Sequence, residues 1–71
     1  MERTKVHSSA MSYIAYDPDS KTLVLEFTSG QVYTYYNVPG GKYLGLMISA
    51  SKGDFFNRQI KDKYPFNKAI N

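Results

Sequence analysis

The stretch 22–36, with the sequence TLVLEFTSGQVYTYY, constrains the fold of this chain more than any other. It holds two short runs of aliphatic, β-branched and aromatic residues separated by a Thr-Ser-Gly segment, which is the composition of two strands and a tight turn. In the first run Leu23, Leu25 and Phe27 occupy alternate positions, so one face of that strand is expected to be buried. The stretch therefore predicts a β-hairpin around which the remaining chain must pack.

The turn of this hairpin decides which face is buried. A two-residue loop would place Ser29 at positive φ, whereas a three-residue loop over 28–30 needs a left-handed residue only at Gly30. The second loop is favoured, because glycine adopts that conformation without steric cost. Its register opposes Phe27 with Gln31, Leu25 with Tyr33 and Leu23 with Tyr35 on one face. This register predicts that the two tyrosines line the core rather than a solvent-exposed surface.

The segments before the hairpin predict one more strand. Residues 11–16 have strand-like composition, and the Asp-Pro-Asp-Ser sequence at 17–20 is a strong turn signal. Because consecutive strands with short connections usually pair antiparallel, three strands should form a meander. The polar residues 1–6 are expected to be a mobile tail, and residues 66–71 a second tail from which Phe66 or Ile70 folds back onto the core.

Two amphipathic helices are predicted after the sheet. The first begins at residue 41 or 42 and ends at Ala50, and the second has Ser51 as its N-cap, Asp54 in the capping-box position and its last residue at Tyr64. Their apolar faces comprise Tyr43, Leu44, Leu46, Met47 and Ala50, and then Gly53, Phe56, Ile60 and Tyr64. The predicted fold is thus one α+β domain over 1–71, a three-stranded antiparallel meander followed by two helices packed on one face.

Charge is distributed unevenly along the chain. Residues 1–37 carry three basic against four acidic side chains, and residues 38–71 carry six against two, for a net charge of +3 overall. A basic second half is suited to an anionic partner such as nucleic acid, but is equally typical of a solvated helical face. Arg58 is spaced four residues from both Asp54 and Asp62, which predicts two ion pairs along one helix.

The residues of catalytic and metal sites are scarce. The chain has no cysteine and a single histidine, His7, so a tetrahedral metal site, a disulfide and a nucleophile–histidine pair are not expected. Gly40-Gly41 before a helix matches neither a P-loop nor a dinucleotide fingerprint. The sequence predicts a protein that is not an enzyme and uses no cofactor. No apolar run reaches bilayer length, so a cytoplasmic location and no membrane partner are expected.

The order of these pieces resembles the KTSC family, a short domain found alone in bacterial and phage proteins and at the C-terminus of some lysyl-tRNA synthetases. The similar segments are 6–9, 14–17, 23–27, 30–35, 38–39, 50–53 and 55–57, with Ile60 and Tyr64. The resemblance implies a small α+β domain whose central Tyr-x-Tyr motif falls on Tyr33 and Tyr35. Its function is not established, and RNA binding has been suggested partly because of the synthetase attachment.

Two functions remain open at this point. The first is self-association or binding of a protein partner through the sheet face that the helices leave open, with Val24, Val32 and Tyr36 as candidate residues. The second is binding of RNA or single-stranded nucleic acid, in which aromatic rings stack on bases and basic side chains contact phosphates. Its candidate residues are Tyr33, Tyr35 and Tyr36 for stacking, and Lys42, Lys52, Arg58, Lys61 and Lys63 for phosphate.

Overall fold

The computed structural model describes residues 2–69 and contains an antiparallel sheet with two helices, an α+β arrangement. Each strand pairs with its neighbour in the chain order β1-β2-β3-β4-β5. The elements are β1 (Arg3–Lys5), β2 (Met11–Asp17), β3 (Thr22–Phe27), β4 (Val32–Tyr35), α1 (Gly40–Ile48), α2 (Lys52–Gln59) and β5 (Phe66–Lys68). The helices are therefore inserted between β4 and the strand that completes the sheet.

The prediction of three strands is wrong, because the sheet has five. The two additional strands lie in the segments predicted to be tails. β1 pairs with β2, so that Thr4 lies opposite Ile14, and β5 returns after the helices to pair with β4, so that Phe66 lies opposite Tyr35. Both edge strands are exposed along their whole length, and main-chain hydrogen bonds hold them. Their side chains consequently show no buried-face pattern. Ile70 lies outside the described residues.

The predicted turn and register of the central hairpin are confirmed. Gly30 has φ of +95°, its N–H donates to the Phe27 carbonyl at 2.9 Å, and Leu25 lies opposite Tyr33. Leu23 lies opposite Tyr35, which is buried with 3% of its surface exposed. The helix-bearing face of the sheet is thus the face that the turn chemistry predicts.

The helices differ from their predicted bounds mainly at the end of α2. The Ser51 cap is confirmed, since the Asp54 N–H donates to Ser51 Oγ at 3.3 Å. However, α2 ends at Gln59, five residues before Tyr64. The buried Ile60 leaves helical geometry, and Asp62 adopts a left-handed conformation with φ of +63°. Because Asp62 is no longer on the helix, the predicted Arg58–Asp62 ion pair is wrong; within residues 2–69 Arg58 pairs with Asp54 at 2.7 Å.

The core lies between the helices and one face of the sheet. Its buried members are Met11, Ile14, Leu23, Leu25, Tyr35, Val38, Leu46, Phe56 and Ile60. α1 contacts β2 through the stacked rings of Tyr43 and Tyr16. The Tyr16 hydroxyl donates a hydrogen bond to the Val38 carbonyl at 2.6 Å. The predicted core position of Leu44 is wrong, since 61% of its surface is exposed. Neither α1 nor α2 is long and apolar enough to span a bilayer within residues 2–69.

Candidate functional site: an aromatic groove

A groove of about 390 Å³ lies on the helix-bearing side of the sheet. It lies among the β3–β4 turn, strands β4 and β5, and the turn that follows α2. The residues that line it are Ala10, Phe27, Thr28, Ser29, Gln31, Tyr33, Tyr35, Phe56, Lys61, Asp62 and Phe66. We call this feature the groove. Its volume falls within the range of sites that bind small molecules.

Five aromatic rings form the apolar part of the groove. Tyr33 and Tyr35 are nearly parallel, with ring centroids 6.2 Å apart, and Phe66 lies tilted at 5.7 Å and 5.5 Å from them. Phe27 and Phe56 meet these tyrosines edge to face, at 5.5 Å and 5.6 Å. Tyr35 is buried at the base of this cluster, whereas Tyr33 is half-buried and half of the Phe66 surface is exposed. Tyr33 and Phe66 are thus rings that a ligand can reach, and Phe27, also in the lining, is half-buried like Tyr33.

The rim of the groove is polar. Gln31, Lys61 and Asp62 are exposed and line it together with the hairpin turn. Lys61 and Asp62 reach this position because α2 ends early and the chain turns toward β5. Lys68 lies opposite Tyr33 in the β4–β5 register, and opposed residues share a face of the sheet, so this exposed lysine adds a positive charge on the same side.

Burial raises the pKa of Tyr35 to about 12, and the neighbouring Tyr33 and the Asp62 carboxylate act in the same direction. All three effects oppose the phenolate form, because burial removes water from the charge and the neighbours add negative charge. Tyr35 therefore stays neutral across the physiological range.

This raised pKa predicts that stability falls in alkali. The folded state favours the protonated phenol, so the contribution of Tyr35 is fully present below pH 10 and is lost as the pH rises through 12. We expect Tyr35→Phe, which keeps the ring and removes the ionisable group, to lessen the loss of unfolding free energy above pH 10. Denaturant titrations of the unchanged protein and of Tyr35→Phe, at neutral and alkaline pH, measure this loss of unfolding free energy. Parallel pH profiles for the two proteins would contradict the assignment.

The residues proposed for nucleic-acid binding do not form one surface. Tyr33, Tyr35 and Lys61 meet at the groove, but Tyr36 lies on the opposite face of the sheet, where its hydroxyl accepts a hydrogen bond from Asn67 at 3.1 Å. Tyr35 is too deeply buried for a base to stack on it.

The basic residues of this set are also divided. Lys42 donates to the Gln59 side chain at 2.6 Å, and Lys52 donates to the Met47 carbonyl at 3.1 Å near the end of α1. Arg58 pairs with Asp54, whereas Lys63 is exposed in the turn after α2. Of the five basic candidates, Lys61 alone lines the groove.

The three residues proposed for protein interaction do share one face. Val24, Val32 and Tyr36 lie on the side of the sheet away from the helices, and the buried Ala15 lies opposite Val24. Both valines are half-buried. The same face carries an ion pair between Arg3 and Glu26, and the Arg3 guanidinium lies 4.3 Å from the centre of the Tyr13 ring. The open face is therefore mixed rather than continuously apolar.

The sequence interpretation missed Phe66, Lys68, Gln31 and Asp62 as site residues. Phe66 and Lys68 follow a proline in a segment predicted to be a tail, and the position of Asp62 depends on the early end of α2. Phe66 itself could have indicated the site, because a large aromatic residue directly after the proline that follows a helix is expected to pack against the core. Within residues 2–69, no three metal-binding side chains of the His, Cys, Asp or Glu type come together.

This chain is similar to one protein family and to several individual proteins. The family model described as KTSC domain matches residues 7–64. A lysine–tRNA ligase of Nostoc punctiforme is 38% identical over 64 residues, which are 90% of this chain and 11% of the ligase. A protein of Tsukamurella paurometabola is 39% identical over 83% of this chain and 88% of its own length.

A solved structure has the same fold over almost its whole length. The crystal structure of a KTSC domain protein from Yersinia pestis superposes with a TM-score of 0.92, at 36% identity and with 97% of each chain covered. This chain thus spans about a tenth of the ligase but nearly all of the small relatives. With the family model matching most of its length, the chain belongs to the KTSC domain family.

Proposed function

We propose that this domain is a non-catalytic module that binds single-stranded RNA, with an unpaired base held in the groove. The observation that carries the proposal is the accessible ring pair of Tyr33 and Phe66 in a groove that Lys61 also lines. Unpaired bases are recognised by stacking on aromatic rings while basic side chains contact the flanking phosphates. The buried Tyr35 supports the accessible rings from beneath rather than contacting the base.

The charges near the groove support an anionic partner. Lys61 and Lys63 lie in the turn after α2, and Lys68 lies on β5 beside Tyr33. All three are exposed, and their side chains form no ion pair within residues 2–69. A strand whose base enters the groove therefore has exposed lysines of the turn after α2 and of β5 available to contact its phosphates.

The relatives also support an RNA partner. The name lysine–tRNA ligase describes an enzyme that acts on a tRNA, and a region similar to this chain forms a small part of that enzyme. A small domain carried by such an enzyme is suited to contacting its RNA substrate outside the catalytic part. This chain aligns with about a tenth of the ligase. We therefore propose that it shares binding of RNA with that region, and not the aminoacylation activity of the whole enzyme.

A salt titration tests the proposal. We expect a fluorescently labelled, unstructured RNA to bind at low salt, with affinity falling as salt rises, because each phosphate contact releases counterions from the strand. For about three lysine contacts the slope of log affinity against log salt is expected to be about −2. Lys61→Gln should reduce this slope by about 0.7, whereas Lys5→Gln, on the open face, should leave the slope unchanged.

The contrary outcomes of this titration are clear. Absence of binding at low salt, or an affinity that ignores salt, would refute RNA binding. An equal effect of Lys5→Gln and Lys61→Gln would refute the groove as the site. Single-stranded DNA and a duplex RNA of the same sequence serve as competitors, and the duplex is expected to compete poorly because its bases are already stacked.

A second candidate function is self-association or binding of a protein partner through the open sheet face. The observation that favours it is that Val24, Val32 and Tyr36 lie together on that face, next to Ala15. The Arg3–Glu26 ion pair reduces its apolar area, which makes a large interface less favourable. Sedimentation over a range of protein concentrations tests self-association, and a monomer at every concentration would exclude a homodimer.

A further inference from the structure

The polar rim of the groove offers both hydrogen-bond donors and hydrogen-bond acceptors. Its exposed side chains are Gln31, which offers both a donor and an acceptor, Lys61, which offers only donors, and Asp62, which offers only acceptors. Resting on the proposed function, we infer that the groove prefers guanine, with Asp62 accepting hydrogen bonds from the N1–H and N2–H₂ groups of that base.

The chemistry of the four bases underlies this preference. On its Watson–Crick edge guanine presents two adjacent donors followed by the O6 acceptor. Adenine presents one donor beside one acceptor, cytosine presents one donor beside two acceptors, and uracil presents one donor between two acceptors. An ionised carboxylate can only accept and has two oxygens side by side, so guanine is the base that satisfies both oxygens at once. The ammonium group of Lys61, the neighbouring residue, is a donor of the kind that O6 accepts.

The position of Asp62 suits this role. The left-handed backbone at φ of +63° turns the chain after α2 and places Asp62 on the rim, next to Lys61. Within residues 2–69 its carboxylate has no ion-pair partner, because Arg58 is held by Asp54. The Asp62 carboxylate also contributes to the raised pKa of Tyr35, as expected for a carboxylate that lines the same groove. Asp62 is therefore available to a ligand that already rests on the rings.

Binding of short RNAs that differ only in the central base tests the inference. We expect the RNA UUGUU to bind about tenfold more tightly than UUAUU or UUUUU, as a bidentate base contact typically provides. Inosine in place of guanine lacks the N2 amine, so UUIUU should bind with intermediate affinity. Fluorescence anisotropy at constant low salt measures all four RNAs under the same electrostatic conditions.

Asp62→Asn provides the critical variant. Asparagine has the same shape and tolerates the left-handed backbone, but its amide group would oppose one guanine donor with a donor of its own. We expect the preference for UUGUU over UUAUU to be lost or reversed. Asp19→Asn makes the same change of charge in the β2–β3 turn, outside the groove lining, and should preserve the preference.

The outcomes separate this inference from the proposed function. Equal binding of all four RNAs, or an unchanged preference in Asp62→Asn, overturns guanine recognition and leaves single-stranded RNA binding in place. A loss of preference in both asparagine variants also overturns it, because overall charge would then be the cause. Absence of binding to every RNA overturns both.

Discussion

Leu25→Ala is expected to lower the free energy of unfolding by about 3 kcal/mol, within the range of about 2–5 kcal/mol for truncating a buried leucine. Leu25 is fully buried at the middle of β3, where its register neighbours are Ile14 on β2 and Tyr33 on β4. Neighbours held in a sheet collapse only partly into the resulting cavity. A domain of this length has a total stability of about 4–10 kcal/mol, so the loss is a large share of it.

Leu44→Ala is the matched control for this effect. Leu44 lies on α1 with 61% of its surface exposed, and the same truncation there should change stability by less than about 0.5 kcal/mol. Denaturant unfolding of both variants measures the difference. Similar losses at the two positions would mean that the described core is not the one that stabilises the protein.

Phe66→Ala is expected to weaken binding of single-stranded RNA about tenfold, the lower part of the range for losing one stacking ring. Phe66 is half exposed and packs against Tyr33 and Tyr35, so its ring forms one wall of the groove. Because β5 is an exposed edge strand, the fold should tolerate the change. Phe66→Leu keeps the apolar bulk but removes the ring, and should also bind weakly.

Tyr36→Ala is the matched control, because it removes an aromatic ring from the open face of the sheet rather than from the groove. Tyr36 is comparably exposed but points away from the helices, beside Asn67. We expect its removal to leave RNA affinity unchanged. Thermal unfolding of each variant shows whether a loss of binding reflects a loss of fold. A folded Phe66→Ala protein with normal affinity, or a greater loss in Tyr36→Ala, would place the site elsewhere.

The central hairpin could be predicted because its determinants are local. Gly30 permits one loop, that loop sets one register, and the register places Tyr35 in the core. The Ser51 cap was equally local, since one side-chain oxygen satisfies one main-chain N–H. In such places a few neighbouring residues carry all the information needed.

The edge strands, the end of α2 and the groove depend on contacts between segments that are distant in the sequence. β1 and β5 are exposed strands held by main-chain hydrogen bonds, which leave no periodic pattern in residues such as Arg3 or Lys68. α2 ends at Gln59, where the fully buried Ile60 leaves helical geometry and belongs to the core. Because the groove is formed by β5 and the turn after α2, it could not be predicted from the sequence even though Tyr33 was identified.

In the proposed mode of binding, the groove and not the open sheet face receives a base. Nuclear Overhauser contacts between the protons of the central guanine of UUGUU and the aromatic side chains of the bound protein test it most directly. We predict contacts from the base to the rings of Tyr33 and Phe66. Contacts to Tyr13 and Tyr36, which lie on the opposite face, would contradict the account.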